Sequence, residues 1–128
     1  MMLTENPVVN VPLMRKTLEH VTLHPEEHRQ HLWLRRTPCG TVGCFAGHAV
    51  IFAGHEIDWG IANLYGELDV TKAGDTIFVV ARRELGLTVD DAESMFYGGN
   101  GIDDLWRLAE LFTNGEIKMS ERPDPPRG

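Results

Sequence analysis

The segment TVGCFAGHAVIFAG, residues 41–54, decides the fold, because it is apolar almost all round. A helix of this composition belongs in the interior of a domain, and its small residues at four-residue spacing let neighbouring backbones approach closely. Thr41 can act as its N-cap, and Gly54 is typical of a helix end. We therefore expect a central helix over about 41–53, with the rest of the chain packed around it.

The chain before this segment predicts two more helices. Asn10 and Pro12 are typical of a helix start, and the apolar spacing that follows predicts a helix over 10–23. Pro25 ends that helix and suits the first position of a second one, over about 25–34.

The chain after the segment predicts three helices and one less regular stretch. Residues 55–74 are rich in Gly and Asp and fit a long loop or a short β-hairpin. Helices are expected from Asp75 to about Leu85, from Thr88 to about Tyr97, and from Ile102 to about Asn114.

These elements predict an all-α fold with five or six helices in a single domain. The 128 residues suit one domain, which we place over 1–115, and the Pro-rich tail over 116–128 is expected to be flexible. The expected core contains six large apolar side chains: Trp33, Phe45, Leu85, Met95, Leu105 and Leu108.

Composition and charge exclude several classes of protein. With 42% apolar and 24% charged residues, the chain has the composition of a soluble globular domain. It has no apolar run that could span a bilayer, and two cysteines are too few for a secreted disulfide scaffold, so we expect a cytoplasmic protein without a membrane partner. The net charge of −7 and the absence of a clustered basic surface exclude nucleic acid as the expected partner.

One segment has the character of a motif. It is Cys39-Gly40-Thr41-Val42-Gly43-Cys44-Phe45-Ala46-Gly47, and His24-Pro25-Glu26, Gln30 and Trp33 precede it. With these residues the chain resembles a group of small uncharacterised proteins of actinobacteria and their phages, over about residues 15–112. The resemblance implies a helical fold and a phage or prophage origin, and it implies no activity. One departure is His48, where similar sequences often have Trp, which counts against His48 as an obligatory ligand.

The cysteine segment allows a structural and a chemical interpretation. Cys44 falls in the first turn of an apolar helix, where a small thiol packs well, so we expect the motif to be structural and to hold no metal or other cofactor. That structural set is Trp33, Cys39, Gly40, Thr41, Cys44, Ala46 and Gly47. The alternative is a small zinc- or cysteine-dependent protein in which Cys39 and Cys44 act with His28, His31 or His48.

The acidic charge lies mainly in the second half of the chain. Residues 1–55 hold five Lys or Arg and four Asp or Glu, whereas residues 56–128 hold seven and fifteen. Such asymmetry can steer a basic partner or let copies of the chain associate. We therefore expect a non-catalytic factor that binds a host protein or itself. Aromatic anchors dominate interface energetics, so the candidate partner surface combines Trp59, Tyr65 and Tyr97 with Asp90, Asp91 and Glu93.

Overall fold

A computed structural model describes residues 8–30, 32–37, 40–58 and 71–124, without the side chains of residues 36, 37 and 40. These ranges contain five α-helices, one antiparallel β-hairpin and two short 3-10 turns. The elements are α1 (Val11–Leu23), a turn (Pro25–Glu27), β1 (Leu34–Thr37), β2 (Gly40–Gly43), α2 (Phe45–Phe52), α3 (Ile77–Leu85), α4 (Val89–Met95), α5 (Ile102–Phe112) and a turn (Met119–Glu121). No helix in these ranges combines the length and the apolar character needed to cross a membrane.

The first helix is capped as the sequence predicts. The side chain of Asn10 accepts a hydrogen bond from the backbone N–H of Leu13 at 3.2 Å. Pro12 lies in the first turn, where its missing N–H is not needed. Pro25 keeps His24 out of the helical conformation, so that α1 ends at Leu23. The predicted helix over 10–23 is therefore confirmed.

The predicted second helix over about 25–34 is wrong. Only the 3-10 turn Pro25–Glu27 is helical, and the chain then extends into β1. β1 pairs antiparallel with β2, with Leu34 opposite Gly43. Pairing with a strand that comes later in the chain outweighs the local helical spacing, and the β-branched residues of β2 favour it.

The helix expected over 41–53 is shorter than predicted. Thr41 is not its N-cap, because residues 40–43 form β2 and their backbone groups pair with β1. The N-cap is Cys44, whose sulfur accepts a hydrogen bond from the N–H of Gly47 at 3.4 Å. All six residues from Phe45 to Val50 are buried, and α2 packs against α1 and α3.

The three later helices lie close to their predicted positions. Thr76, and not Asp75, caps α3, and Gly86 ends it in the left-handed conformation at φ 72°. Thr88 caps α4 by accepting a hydrogen bond from the N–H of Asp91 at 3.1 Å. The described chain is thus mostly helical, which agrees with the predicted all-α class in its main content. A small sheet at 34–43 is present in addition.

The core contains four of the six predicted side chains. Phe45, Leu85, Met95 and Leu105 are fully buried, whereas Trp33 and Leu108 are half-buried and pack against the core from its edge. The largest buried side chain is Trp106 of α5, whose indole N–H donates to Thr22 Oγ1 of α1 at 2.9 Å. The other large, fully buried side chains include Met14, Leu18, Leu34, Ile77, Leu87 and Ile117.

The expected loop or hairpin over 55–74 falls mostly outside the described residues. At its two ends Ile57 and Thr71 form an antiparallel bridge, and the N–H of Lys72 donates to the carbonyl oxygen of Glu56 at 2.8 Å. These contacts bring the ends of the segment together.

Part of the expected tail over 116–128 contacts the domain. Ile117 is fully buried, and Arg15 of α1 donates to the carbonyl oxygen of Glu116 at 3.0 Å. Arg15 also pairs with Glu121 at 3.3 Å. The packed part of the chain therefore extends past 115 to at least Glu121, and residues 125–128 lie outside the described ranges.

Candidate functional site

The cysteine motif builds the junction between the β-hairpin and α2. Gly43 and Gly47 face the backbone of Trp33 so closely that an added Cβ would lie 2.4 Å and 2.2 Å from its carbonyl oxygen. Only glycine permits such an approach of two backbones. Ala46, between them in the motif, is also fully buried. In this geometry the small residues of the motif serve packing.

Gln30 joins the hairpin region to two helices through its side-chain amide. Its Oε1 accepts hydrogen bonds from the N–H of Phe45 at 3.1 Å and from Nε2 of His28 at 2.8 Å. Its Nε2 donates to the carbonyl oxygens of Met95 and Tyr97 at 3.1 Å and 3.2 Å. Gln30 therefore connects the start of α2 to the end of α4.

Cys44 borders a cavity that is small for a substrate. The cavity measures about 150 Å³ and is lined by Gln30, Leu32, Trp33, Cys44, Phe96 and Gly98. Substrate pockets usually measure roughly 300–1,000 Å³, and among these lining residues only Cys44 carries an ionisable group. None of the described lining residues could act as a general base for the thiol. Cys39 and His31, the other members of the predicted zinc or cysteine site, lie outside the described residues.

A cluster of histidines and a carboxylate forms where α1, the first 3-10 turn and α2 meet. The Nε2 atom of His20 lies 3.1 Å from Oε1 of Glu27, and the imidazole of His48 lies 5.2 Å from that of His20 between ring centroids. One ligand atom from each of these three residues lies within 4.8 Å of the other two. Phe52 contacts the edge of the cluster, with its ring 5.0 Å from that of His20.

His48 is the buried member of this cluster. Its Nε2 lies 2.7 Å from the carbonyl oxygen of Glu27, and since a carbonyl oxygen only accepts, this nitrogen carries the proton. Burial lowers the pKa of the His48 imidazole below its usual value, and the hydrogen bond to Glu27 opposes the shift. Neutral His48 then has an unprotonated Nδ1.

The exposed side of α4 carries the predicted acidic residues. Asp90 and Glu93 are exposed and Asp91 is half-buried. Two large side chains close to them in sequence are also exposed, Val89 by 51% and Tyr97 by 66%. We call these five residues the acidic α4 face.

The sequence interpretation singled out the acidic residues of α4 and missed the histidine–carboxylate cluster. Trp59 and Tyr65, which we expected on the partner surface, lie outside the described residues. Gly40 and Thr41 belong to β2, and His28 bonds to Gln30. The contact between His20 and Glu27 could not be predicted from their spacing, because Pro25 lies between them and interrupts the helix. The 3-10 turn Pro25–Glu27 brings the side chain of Glu27 next to that of His20. A 3-10 turn of three residues is hard to predict from sequence.

Comparisons of the chain with protein-family models, with curated proteins and with solved structures find no match.

Proposed function

We propose that the chain is a non-catalytic accessory factor of the bacterial cytoplasm, encoded by a phage or prophage, that binds a basic segment of a host protein. The observation that carries this proposal is the acidic α4 face, which combines carboxylates that form no ion pair within the described residues with exposed apolar side chains close to them in sequence. The resemblance to proteins of actinobacteria and their phages supports the origin.

The carboxylates of the acidic α4 face differ from most of the other carboxylates that the structure describes after residue 55. Asp90, Asp91 and Glu93 form no ion pair within the described residues. By contrast, six carboxylates from Glu56 onward have a cationic or histidine partner: Glu56 with Lys72, Asp75 with Arg83, Glu84 with His55, Asp103 with Arg122, Asp104 with Arg107, and Glu121 with Arg15. The N-terminus of α4 stabilises Asp90 and Asp91 but not Glu93, which lies beyond the first turn. Charge complementarity therefore favours a partner rich in Lys and Arg.

Val89 and Tyr97 supply the apolar contact that charges alone do not give. Charge–charge contacts at an exposed rim mainly raise the association rate, whereas buried aromatic side chains supply most of the binding free energy. Tyr97 follows the last turn of α4 and remains 66% exposed. A basic segment with an apolar residue among its cations matches this combination, and that is the partner we propose.

The experiment compares three forms of the purified full chain as bait in a lysate of an actinobacterial host. The first is the wild type, and the second reverses Asp90, Asp91 and Glu93 to Lys. The third is a matched control with the same change in net charge, and it reverses three exposed carboxylates that form no ion pair within the described residues: Glu19, Glu116 and Asp124. Each captured protein is then purified and titrated against the three baits.

The proposal predicts a protein that binds the wild type and the control but binds the α4 variant at least about tenfold more weakly. Reversal of Lys or Arg residues in the partner should restore binding to the α4 variant. Equal binding of a partner to all three baits would contradict the proposed surface. If the chain associates with itself and the α4 reversal abolishes this association, the partner is a second copy of the chain and not a host protein.

The same proposal includes one finer statement on the fold. α2 is taken as the structural centre of the domain, because all six residues from Phe45 to Val50 are buried. The competing function, a zinc- or cysteine-dependent protein built on Cys39 and Cys44, finds less support, because none of the described residues that line the cavity beside Cys44 could act as a general base. A turnover abolished by Cys44→Ser would reverse this order.

A further inference from the structure

We propose that His20, Glu27 and His48 form a binding site for one divalent transition-metal ion, with Zn²⁺ as the expected occupant. Two imidazole nitrogens and one carboxylate oxygen are a donor set that suits zinc and chemically similar ions. This ligand set contains no cysteine and shares only His48 with the cysteine-based site considered above, and it does not depend on the proposed protein partner.

The three ligands come from separate elements that pack firmly on one another. His20 lies in the last turn of α1, Glu27 ends the 3-10 turn Pro25–Glu27, and His48 lies in the buried helix α2. Their ligand atoms lie within 4.8 Å of one another, and the closest contact, His20 Nε2 to Glu27 Oε1, is 3.1 Å. Ligand atoms in a tetrahedral zinc site are about 3.3 Å apart, given zinc–ligand distances of about 2.0–2.2 Å. Closing the difference requires the half-exposed side chains of His20 and Glu27 to rotate toward the free ring nitrogen of His48.

The contact between His48 and the backbone of Glu27 is the second observation in favour of a metal site. A histidine that binds metal through one ring nitrogen usually donates its other N–H to a carboxylate or a backbone carbonyl, which fixes the tautomer and the ring orientation. His48 has this arrangement, because its Nε2 donates to the carbonyl oxygen of Glu27 at 2.7 Å. Nδ1 is then the nitrogen available to the ion. The backbone of Glu27 thus orients one ligand while its side chain supplies another.

The side of the cluster toward solvent leaves room for further ligands. The side chains of His20 and Glu27 are 24% and 30% exposed, so water can complete the coordination. His24 stands beside them, with its ring 4.7 Å from that of His20. His24, Glu26 and Glu27 form a second group of ligand atoms within 4.8 Å, which shares Glu27 with the first. An open fourth position at the protein surface follows from this geometry.

A simpler interpretation is a histidine–carboxylate hydrogen bond with no metal, and the chain provides its own comparison. His55 Nε2 lies 2.9 Å from Glu84 Oε2, and the two side chains are 29% and 35% exposed. This pair resembles His20 with Glu27 in distance and exposure. It has no third ligand within reach among the described residues.

The test measures zinc binding to the full chain made without an affinity tag. After treatment with a chelator, the protein is titrated with zinc sulfate against a colorimetric zinc indicator, and thermal unfolding is followed with and without zinc. We expect one zinc ion per chain and a higher melting temperature in its presence, because an ion that binds only the folded state stabilises it. A cobalt(II) titration should show no thiolate charge-transfer band, because the proposed ligands contain no sulfur.

Four variants separate this site from its alternatives. Glu27→Gln removes the carboxylate but keeps the carbonyl oxygen that holds His48, so the fold is retained. His20→Gln removes a half-exposed ligand, and both variants should weaken zinc binding by at least about tenfold. His55→Gln makes the same change in the pair without a third ligand, and Cys44→Ser keeps a good N-cap, so neither should alter zinc binding.

The outcomes decide between the two interpretations. Stoichiometric zinc lost in Glu27→Gln and His20→Gln, and kept in His55→Gln and Cys44→Ser, establishes the site. No saturable zinc binding by the wild type overturns it. Binding that survives Glu27→Gln and His20→Gln, or that disappears in Cys44→Ser, also overturns it, because the ion would then be held by other residues.

Discussion

At the scale of single residues, Gly47 shows how the cysteine motif determines the local fold. In an ordinary helix interior, replacing Gly by Ala stabilises the helix by about 1 kcal/mol. In α2 the new Cβ would meet the carbonyl oxygen of Trp33 at 2.2 Å and Leu34 Cγ at 2.8 Å. The backbone at Trp33, which leads into β1, would have to move away. Gly47→Ala should therefore destabilise the protein, although helix propensity alone favours Ala.

We expect Gly47→Ala to lower the free energy of unfolding by about 2–4 kcal/mol, as overpacking of a rigid core does. Urea denaturation of wild type and variant measures the difference. Ser94→Ala is the control, because Ser94 is exposed in α4 and the substitution should leave stability the same or slightly higher. A Gly47→Ala protein as stable as the wild type would show that β1 can yield without cost.

At the scale of elements, α1 is joined to α5 by one buried hydrogen bond. Thr17 and Thr22 are both buried in α1, and each hydroxyl donates to the carbonyl oxygen four residues earlier, at 2.8 Å and 2.7 Å. Only Thr22 also accepts a hydrogen bond, from the indole N–H of Trp106 in α5 at 2.9 Å. The two threonines therefore differ in a single contact.

Thr22→Val keeps the shape of the side chain but leaves the buried indole N–H of Trp106 without an acceptor. An unsatisfied buried donor costs about 1–3 kcal/mol, so we expect a loss of that size in the free energy of unfolding. Thr17→Val should cost clearly less, because it removes only the bond within α1. Chemical denaturation of both variants gives the comparison. Equal losses would mean that the bond between α1 and α5 contributes nothing.

Elements that depend on local signals could be predicted from the sequence, and those that depend on distant partners could not. Helices α1, α3 and α4 have capping signals within a few residues of their ends, and their positions could be predicted closely. These signals are Asn10 with Pro12 for α1, Gly86 for α3, and Thr88 with Asp91 for α4. The β-hairpin was missed because it depends on pairing across the chain and on glycines that admit the backbone of Trp33. The cluster of His20, Glu27 and His48 was missed for the same reason, since it unites three elements.

At the scale of the whole molecule, the burial of α2 makes a prediction about how the domain opens. α2 has eight residues, and a helix of that length is not stable alone in water, so it forms only while α1 and α3 cover it. Its amides should therefore become exposed only when the whole domain unfolds. The 3-10 turn Met119–Glu121, whose residues are all exposed, needs no such event to open.

Native-state hydrogen exchange measured residue by residue tests this prediction. The amides of Ala49 and Val50 should exchange with an opening free energy equal to that of global unfolding from urea denaturation. The amides of Glu121 and Arg122, which donate within the last 3-10 turn, should exchange through local opening at a much lower free energy. If the α2 amides exchanged faster than those of α3 and α5, the domain would have to be organised around a different element, and α2 would be a late-docking helix that leaves while the others stay packed.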